Sequence, residues 1–282
     1  MFDIGLCVQA ACIWEVTACK AGNVHRFSDF ADANYLDFLL SAAAVAPVLS
    51  AASQKRVGPT ILEAVRATRQ VTRSNTNLGI VLLLAPLAAV PANENLRGGL
   101  ARLLAELDVE DARSAYEAIR LANPGGLGRA AGQDVTGAPT LGLREVMALA
   151  ADRDSIARQY ANGFQDIFHT GLAALQRSLS AGSLETAIID CHLHLMAAFP
   201  DSLILRKRGP AEAEESSCRA QDVLDAGWPS QPAGTEAFRA FDAWLRAEAH
   251  QRNPGTTADL VTACLFVALR TGILTLPPRI AW

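Results

Sequence analysis

The sequence predicts an all-α protein: a single-domain multi-helix bundle over residues 1–282, built around one buried central helix. Three observations carry that expectation. Half of the residues are hydrophobic while only 6% are aromatic, an Ala/Leu-rich mix that suits closely packed helices. Apolar residues recur at steps of three and four along most of the chain, which is the helical period. Alternation of β-branched residues never lasts more than four positions, so no strand is expected. The central helix is the run at 75–90, NTNLGIVLLLAPLAAV. After a polar start it is apolar on every side, and such a helix belongs inside a bundle.

Taken in order, residues 3–19 carry Leu6, Ala10, Ile13 and Val16 at helical spacing, and 20–33 read as an irregular polar loop. Asn34 caps a second helix with the apolar stripe Leu36, Leu39, Leu40 and Ala43, which Pro47 is expected to kink or end. Gly58-Pro59 opens a third near 59–73, carrying Ile61, Leu62 and Val65, and the central helix follows at 78–90. Amphipathic segments come next at 93–106 and 109–122, the second favoured by Glu110 and Asp111 in its first turn. Asn123-Pro124-Gly125-Gly126 breaks the pattern, and 129–141 read as loop. One long helix is expected over 152–179, stopped by Ala181-Gly182, then another over 184–198 that ends before Pro200. A short basic segment at 203–208, an acidic stretch at 211–226 and helices at 235–251 and 256–273 complete the chain.

Bulk properties narrow the function. A net charge of −4 without a basic stripe argues against a nucleic-acid partner. The six cysteines include no CxxC pair, so a fully reduced set is expected. MFDIGL lacks the basic start of a signal peptide, and the apolar run at 78–90 is too short to span a bilayer. A cytoplasmic protein with no membrane partner is therefore expected. A homodimer would suit an apolar-rich helical surface, although no stripe marks an interface. There is no P-loop, Rossmann glycine pattern or GxSxG elbow.

Several polar clusters exceed what folding asks for. Asn75, Thr76 and Asn77 stand where one cap would suffice, at the start of a buried helix whose unpaired N–H groups can meet an anion. The stretch from Lys20 to His25, KAGNVH, reads either as a helix C-cap or as a loop in which Lys20 neutralises phosphate and Gly22 permits close approach. In NPGTTAD at 253–259, Thr256 and Asp259 form a capping-box-like pair, which leaves Gly255 and Thr257 without a folding role. Exposed N–H groups there would bind phosphate, and the carboxylate could hold Mg²⁺ against it. At 152–169, Asp154 and Arg158 have ion-pair spacing, while Ser155, Gln159, Asn162, Asp166 and His169 share one face, read as a cavity lining. Asp201 with Arg206, Lys207 and Arg208 is either a solvated charge run or a triphosphate clamp. Asp190 and His194 are four apart but His192 points elsewhere, a poor arrangement for a transition metal.

The segments NTNLGI, NPGGLG, DRDSIARQYANGF, FPDSLILRKRG and NPGTTADL, in this order, resemble the triphosphoribosyl-dephospho-CoA synthase family. The resemblance runs over nearly the whole chain. It departs at Ala21, where the family has Pro, at Asn77-Leu78, where it has His-Lys, and in the late loop, SPGGSAD in the family; the chain is closer to a divergent branch. The resemblance implies an all-helical enzyme that moves the triphosphoribosyl group of ATP to the 2′-hydroxyl of 3′-dephospho-CoA and releases adenine, with Mg²⁺ accompanying ATP. The product would be a prosthetic-group precursor for citrate lyase or malonate decarboxylase. Two other readings stand beside it: related ATP or ribosyl chemistry on another acceptor in methanopterin-linked coenzyme biosynthesis, or a catalytically silent helical nucleotide-binding protein.

Displacing adenine from C1′ passes through an oxocarbenium-like state that nearby negative charge stabilises, and the acceptor hydroxyl needs a base. On that chemistry Asp201 and Asp259 are assigned to Mg²⁺, and Lys20, Arg206 and Lys207 to counter-charge. Gly22, Asn23, Asn75, Thr76, Asn77, Asn253, Gly255, Thr256 and Thr257 are assigned to phosphate or ribose. Asp134, Asp152 and Asp166 are unranked candidates for the catalytic base.

Overall fold

The computed structural model describes residues 3–125 and 132–282. All regular elements among them are helical; the one strand-like feature is a single bridge between His25 and Ser28. The protein is all-α. Its helices are α1 Ile4–Thr17, α2 Tyr35–Ser50, α3 Val57–Val71, α4 Leu78–Ala89, α5 Leu96–Glu106, α6 Val109–Ala122 and α7 Leu143–Ala148. They continue with α8 Ser155–Asn162, α9 Leu172–Leu179, α10 Leu184–Ala198, α11 Ser202–Arg208, α12 Pro210–Asp225, α13 Pro232–His250 and α14 Gly255–Arg270. Local chemistry fixes many of the starts. Asn34 and Asp37 form a reciprocal capping box on α2, and Asp108 and Asp111 do the same on α6. Six residues are too few for a periodic signal, so α7 has none in the sequence.

The expected central helix is present. Every residue of α4 except Gly79 is buried. Pro86 lies inside it and removes the N–H that would bond the carbonyl of Leu82. The Tyr160 hydroxyl donates to that carbonyl at 2.6 Å, so the helix core keeps no orphan acceptor there. A second helix is as central: α14 buries thirteen of its sixteen residues and packs on α1, α4, α10 and α9. A smaller apolar cluster, with Ile189, Leu193, Ile204, Phe241 and Leu245, joins α10 and α11 to α12 and α13.

Three expectations need correcting. Pro47 does not end α2, which runs on to Ser50; the residue whose carbonyl it strips, Ala43, is exposed and can bond water. The long helix expected over 152–179 is broken. Gly163 and Phe164 are left-handed (φ +71° and +64°), and the chain resumes as a π-helical turn, Asp166–Gly171, before α9. The break folds the polar face back on itself: the buried Asp166 carboxylate accepts from Arg158 at 2.7 Å, Gln159 at 2.6 Å and Asn162 at 3.2 Å. Finally, the end of α13 is not helical, because Glu248, Ala249 and His250 are successively left-handed (φ 55°, 53° and 61°). The stretch Tyr35–Gln54 is long and apolar enough to cross a membrane by length and composition, and it is one third buried.

Candidate active site

The N-termini of α4, α8 and α14 open on one cavity of about 890 Å³, together with α11 and the loops at 30–33 and 249–253. That size lies within the usual range for ligand sites. Asp201 holds the helix ends together. One carboxylate oxygen caps α11, accepting from Leu203 N at 2.8 Å and Ile204 N at 3.1 Å. The other accepts from Thr257 N at 2.7 Å and its hydroxyl at 2.8 Å. Ser202 extends the joint by accepting from Ser155 N at 3.2 Å and donating to Thr256 at 3.1 Å. Asp201 and Thr257 are buried and do not line the cavity. This corrects the metal role expected of Asp201 and the phosphate role of Thr257: their polar atoms are already committed to the scaffold.

Asp259 is different. It projects from α14 into the cavity against the first turn of α4, where a Cβ on residue 79 would lie 2.0 Å from its Oδ2 and 2.5 Å from its Cγ. Glycine at 79 is what lets the carboxyl lie there. No hydrogen-bond donor reaches Asp259 among the described residues. Enclosure in protein pushes its pKa well above the usual carboxylate range, Glu15, Asp201 and Asp154 push it further, and Arg206 pulls it back. Asp154 caps α8 through Ile156 N and Ala157 N at 2.9 and 3.1 Å, and its other oxygen accepts from Arg206 at 2.6 Å. Its expected partner Arg158 goes to Asp166 instead. Arg206 therefore faces the cavity with its charge held beside Asp154, and its Nε has no partner among the described residues.

Other expected residues sort by position. Asn75, Thr76 and Asn77 all line the cavity. Asn75 accepts from Leu78 N at 3.2 Å, Thr76 bonds Ser41 at 2.6 Å, and Asn77 accepts from Thr68 at 3.1 Å with its buried Nδ2 unpaired among the described residues. Asn23 and Asn253 line it too, joined by a 2.9 Å amide bond, as do Gly255, Thr256, Lys207 and Asp134. Asp134 accepts from the backbone and hydroxyl of Thr136 at 2.9 and 2.6 Å.

Lys20, Gly22, Asp152 and Asp166 do not line it. Lys20 is fully buried in an ion pair with Glu15 at 2.8 Å and also donates to the carbonyls of Glu15 and Ala18, which leaves nothing for phosphate. Gly22 is left-handed (φ +75°), and any side chain there would strike Leu245 and Pro254, so its role is to close the α1–α13 joint. Asp152 is exposed outside the cavity, and Asp166 is consumed by its three donors. Ser155, Gln159, Asn162 and His169 likewise lie outside the lining; Gln159 and Asn162 bond Asp166 in the π-helical turn, and Ser155 N bonds Ser202.

Sequence reasoning passed over Glu15, Gly79, Asp154, Arg73 and Arg153, all of which line the cavity. Two of them had a signal. Glu15 is the one charged residue in α1, and Gly79 directly follows the polar trio and Leu78. Among the described residues no group of three or more His, Cys, Asp or Glu side chains forms a ready metal cage. All six cysteines are free.

The chain matches the family model described as "CitG: ATP:dephospho-CoA triphosphoribosyl transferase" over residues 1–275. It is 34% identical over 134 residues to a "Probable 2-(5''-triphosphoribosyl)-3'-dephosphocoenzyme-A synthase" of Pseudomonas syringae pv. tomato, covering 44% of this chain and 45% of that one. A protein of the same name from Pseudomonas putida is 37% identical over 113 residues, 39% of this chain and 40% of the other. These alignments span less than half the length of the curated relatives. The crystal structure of a "putative triphosphoribosyl-dephospho-coA synthase" from Archaeoglobus fulgidus superposes with a TM-score of 0.64 at 28% identity, covering 83% of this chain and 99% of that one. With the family model matched almost end to end on an all-α fold, the chain belongs to the ATP:dephospho-CoA triphosphoribosyl transferase (CitG) family.

Proposed function

We propose that this chain transfers the triphosphoribosyl group of ATP to the 2′-hydroxyl of 3′-dephospho-CoA. The C1′–N9 bond of ATP breaks with its electron pair leaving on adenine, a C1′–O2′ bond forms, and one proton passes from the hydroxyl to the purine. The observation that carries the reading, beside family membership, is the carboxyl of Asp259, which no donor reaches among the described residues, in a cavity that also holds Arg206. Polyphosphate suits the cationic lining: Arg206, with Lys207, Arg73 and Arg153 at the exposed edge. In its ionised form Asp259 supplies negative charge that stabilises the oxocarbenium-like C1′. Of the three residues expected as base, Asp134 alone faces the cavity, and we assign it the acceptor proton.

Mg²⁺ fits this lining as a passenger of the triphosphate, because it needs only one or two carboxylates beside phosphate oxygens. Asp259 and Asp154 are the residues that would meet it, and it would supply charge neutralisation at the polyphosphate.

Adenine release from ATP, with and without 3′-dephospho-CoA, tests the proposal. Acceptor-dependent release is the expected result. Release that ignores the acceptor would replace it with related chemistry on another acceptor, and absence of ATP binding would leave a silent helical scaffold.

A further inference from the structure

One part of the cavity wall is built for something other than phosphate. The rings of Phe30 and His250 stack with centroids 4.2 Å apart and 28° between planes, and both line the cavity. Beside them is the Asn23–Asn253 pair. Asn253 N donates to the carbonyl of His250 at 3.1 Å, and Arg246, near the end of the same helix, donates to the carbonyl of Asn23 at 2.7 Å, so the amides and the rings form one unit. Asn23 is 5% exposed, and its single amide bond to Asn253 leaves its buried Oδ1 without a partner among the described residues. A buried acceptor left this way is costly unless a ligand satisfies it. One amide–amide bond also leaves a donor on the other member of the pair, so the wall offers one acceptor and one donor. Interchanging the O and N of both amides keeps that pairing, because each still contributes one used and one free group.

We propose that Phe30 with His250, and Asn23 with Asn253, form a subsite for a purine base: the ring pair stacks it, and the amide pair hydrogen-bonds its edge. Phosphate offers neither a flat apolar face nor a donor for an amide oxygen. Adenine offers both, with an exocyclic N–H beside a ring-nitrogen acceptor. Burial and the nearby Arg246 lower the pKa of His250, keeping the imidazole neutral and suited to stacking on a neutral base. The rings are held by the left-handed turn at Glu248, Ala249 and His250, tied down by Arg252 and Arg208 on Glu248 at 3.0 and 2.8 Å.

The identity of the base rests on the proposed function, in which adenine is carried by both ATP and 3′-dephospho-CoA. Calorimetric titration of the full chain with ATP, 3′-dephospho-CoA and inorganic tripolyphosphate separates the sources. Phe30→Ala and Asn23→Ala are expected to weaken one of the nucleotides by roughly 10- to 100-fold, the scale of lost base stacking, while tripolyphosphate binding stays unchanged. Phe30→Trp is expected to restore it. Loss confined to ATP assigns the leaving base, and loss confined to 3′-dephospho-CoA assigns the acceptor's base. The inference is overturned if both nucleotides bind the variants as before, if tripolyphosphate weakens in parallel, or if neither nucleotide binds the unaltered chain. The test does not need turnover: base-dependent binding without adenine release would keep the subsite and sink the transferase reading.

Discussion

A Cβ at position 79 would lie 2.0 Å from Oδ2 of Asp259, so the first turn of α4 and the carboxyl carried by α14 share a space that only one side chain can fill. Elsewhere in a helix Gly→Ala gains about 1 kcal/mol from propensity. At Gly79 that gain is set against displacement of Asp259. Gly79→Ala is expected to lower adenine release by about 100-fold, the scale of a 1 Å misplacement of a reacting group, while the thermal midpoint moves little. A variant with full activity would show that the position of Asp259 does not matter to the chemistry.

Asp259 also makes stability depend on pH. Its pKa in the folded protein is well above the usual value of 3.8, so between 3.8 and the raised value the folded state binds more protons than the unfolded chain. The stabilisation is complete below 3.8 and is lost as pH rises through the folded pKa. Asp259→Asn removes the charge and that loss with it. Urea midpoints at pH 5 and pH 8 are expected to show the variant gaining on the parent as pH rises. Parallel pH profiles would mean that the carboxylate ionises there without penalty.

Which parts of this were legible in the sequence follows from where the physics is local. The central helix α4 announces itself because its burial is written into a continuous apolar run, and the cap at Asn34 is local chemistry, whereas α14 reads only as a helix and its equal burial comes from the elements packed on it. Charge partners are not local. Asp154 and Arg158 have ideal ion-pair spacing, yet Asp154 pairs with Arg206 and Arg158 with Asp166. The π-helical break accompanies that second pair, and periodicity alone extends one helix through it. In the site, the amide-rich starts of α4 and α14 were recognisable as excess polarity. The exchange of Lys20 and Asp201 out of the cavity for Glu15 and Asp154 was not, because it depends on which side of a helix end faces the opening.

The Lys20–Glu15 pair gives a prediction opposite to the phosphate role its sequence context suggests. Both groups are buried, and burial pushes the Glu15 pKa up while Lys20 pulls it back. Lys20→Met strands the carboxylate and is expected to cost about 3–5 kcal/mol in chemical denaturation, most of which Glu15→Gln in the same chain should restore. ATP affinity per folded molecule should not change. Weaker ATP binding with undiminished stability would return Lys20 to the nucleotide.

Asp201 separates a scaffold carboxylate from a metal-binding one in the same way. It serves four donors on α11 and α14, and Asn at this position keeps one accepting oxygen, enough for two of them. Asp201→Asn is expected to destabilise by about 1–3 kcal/mol through the unpaired buried donors left at Thr257 or at the start of α11. Thr257→Val removes the hydroxyl from the same network, so the double variant should lose less than the sum of the two. Mg²⁺ titrations of adenine release, scaled to folded protein, are expected to keep the parent midpoint in Asp201→Asn and to move to higher Mg²⁺ in Asp259→Asn, provided that variant retains measurable turnover. A shifted midpoint in Asp201→Asn at unchanged stability would put the metal on α11 after all.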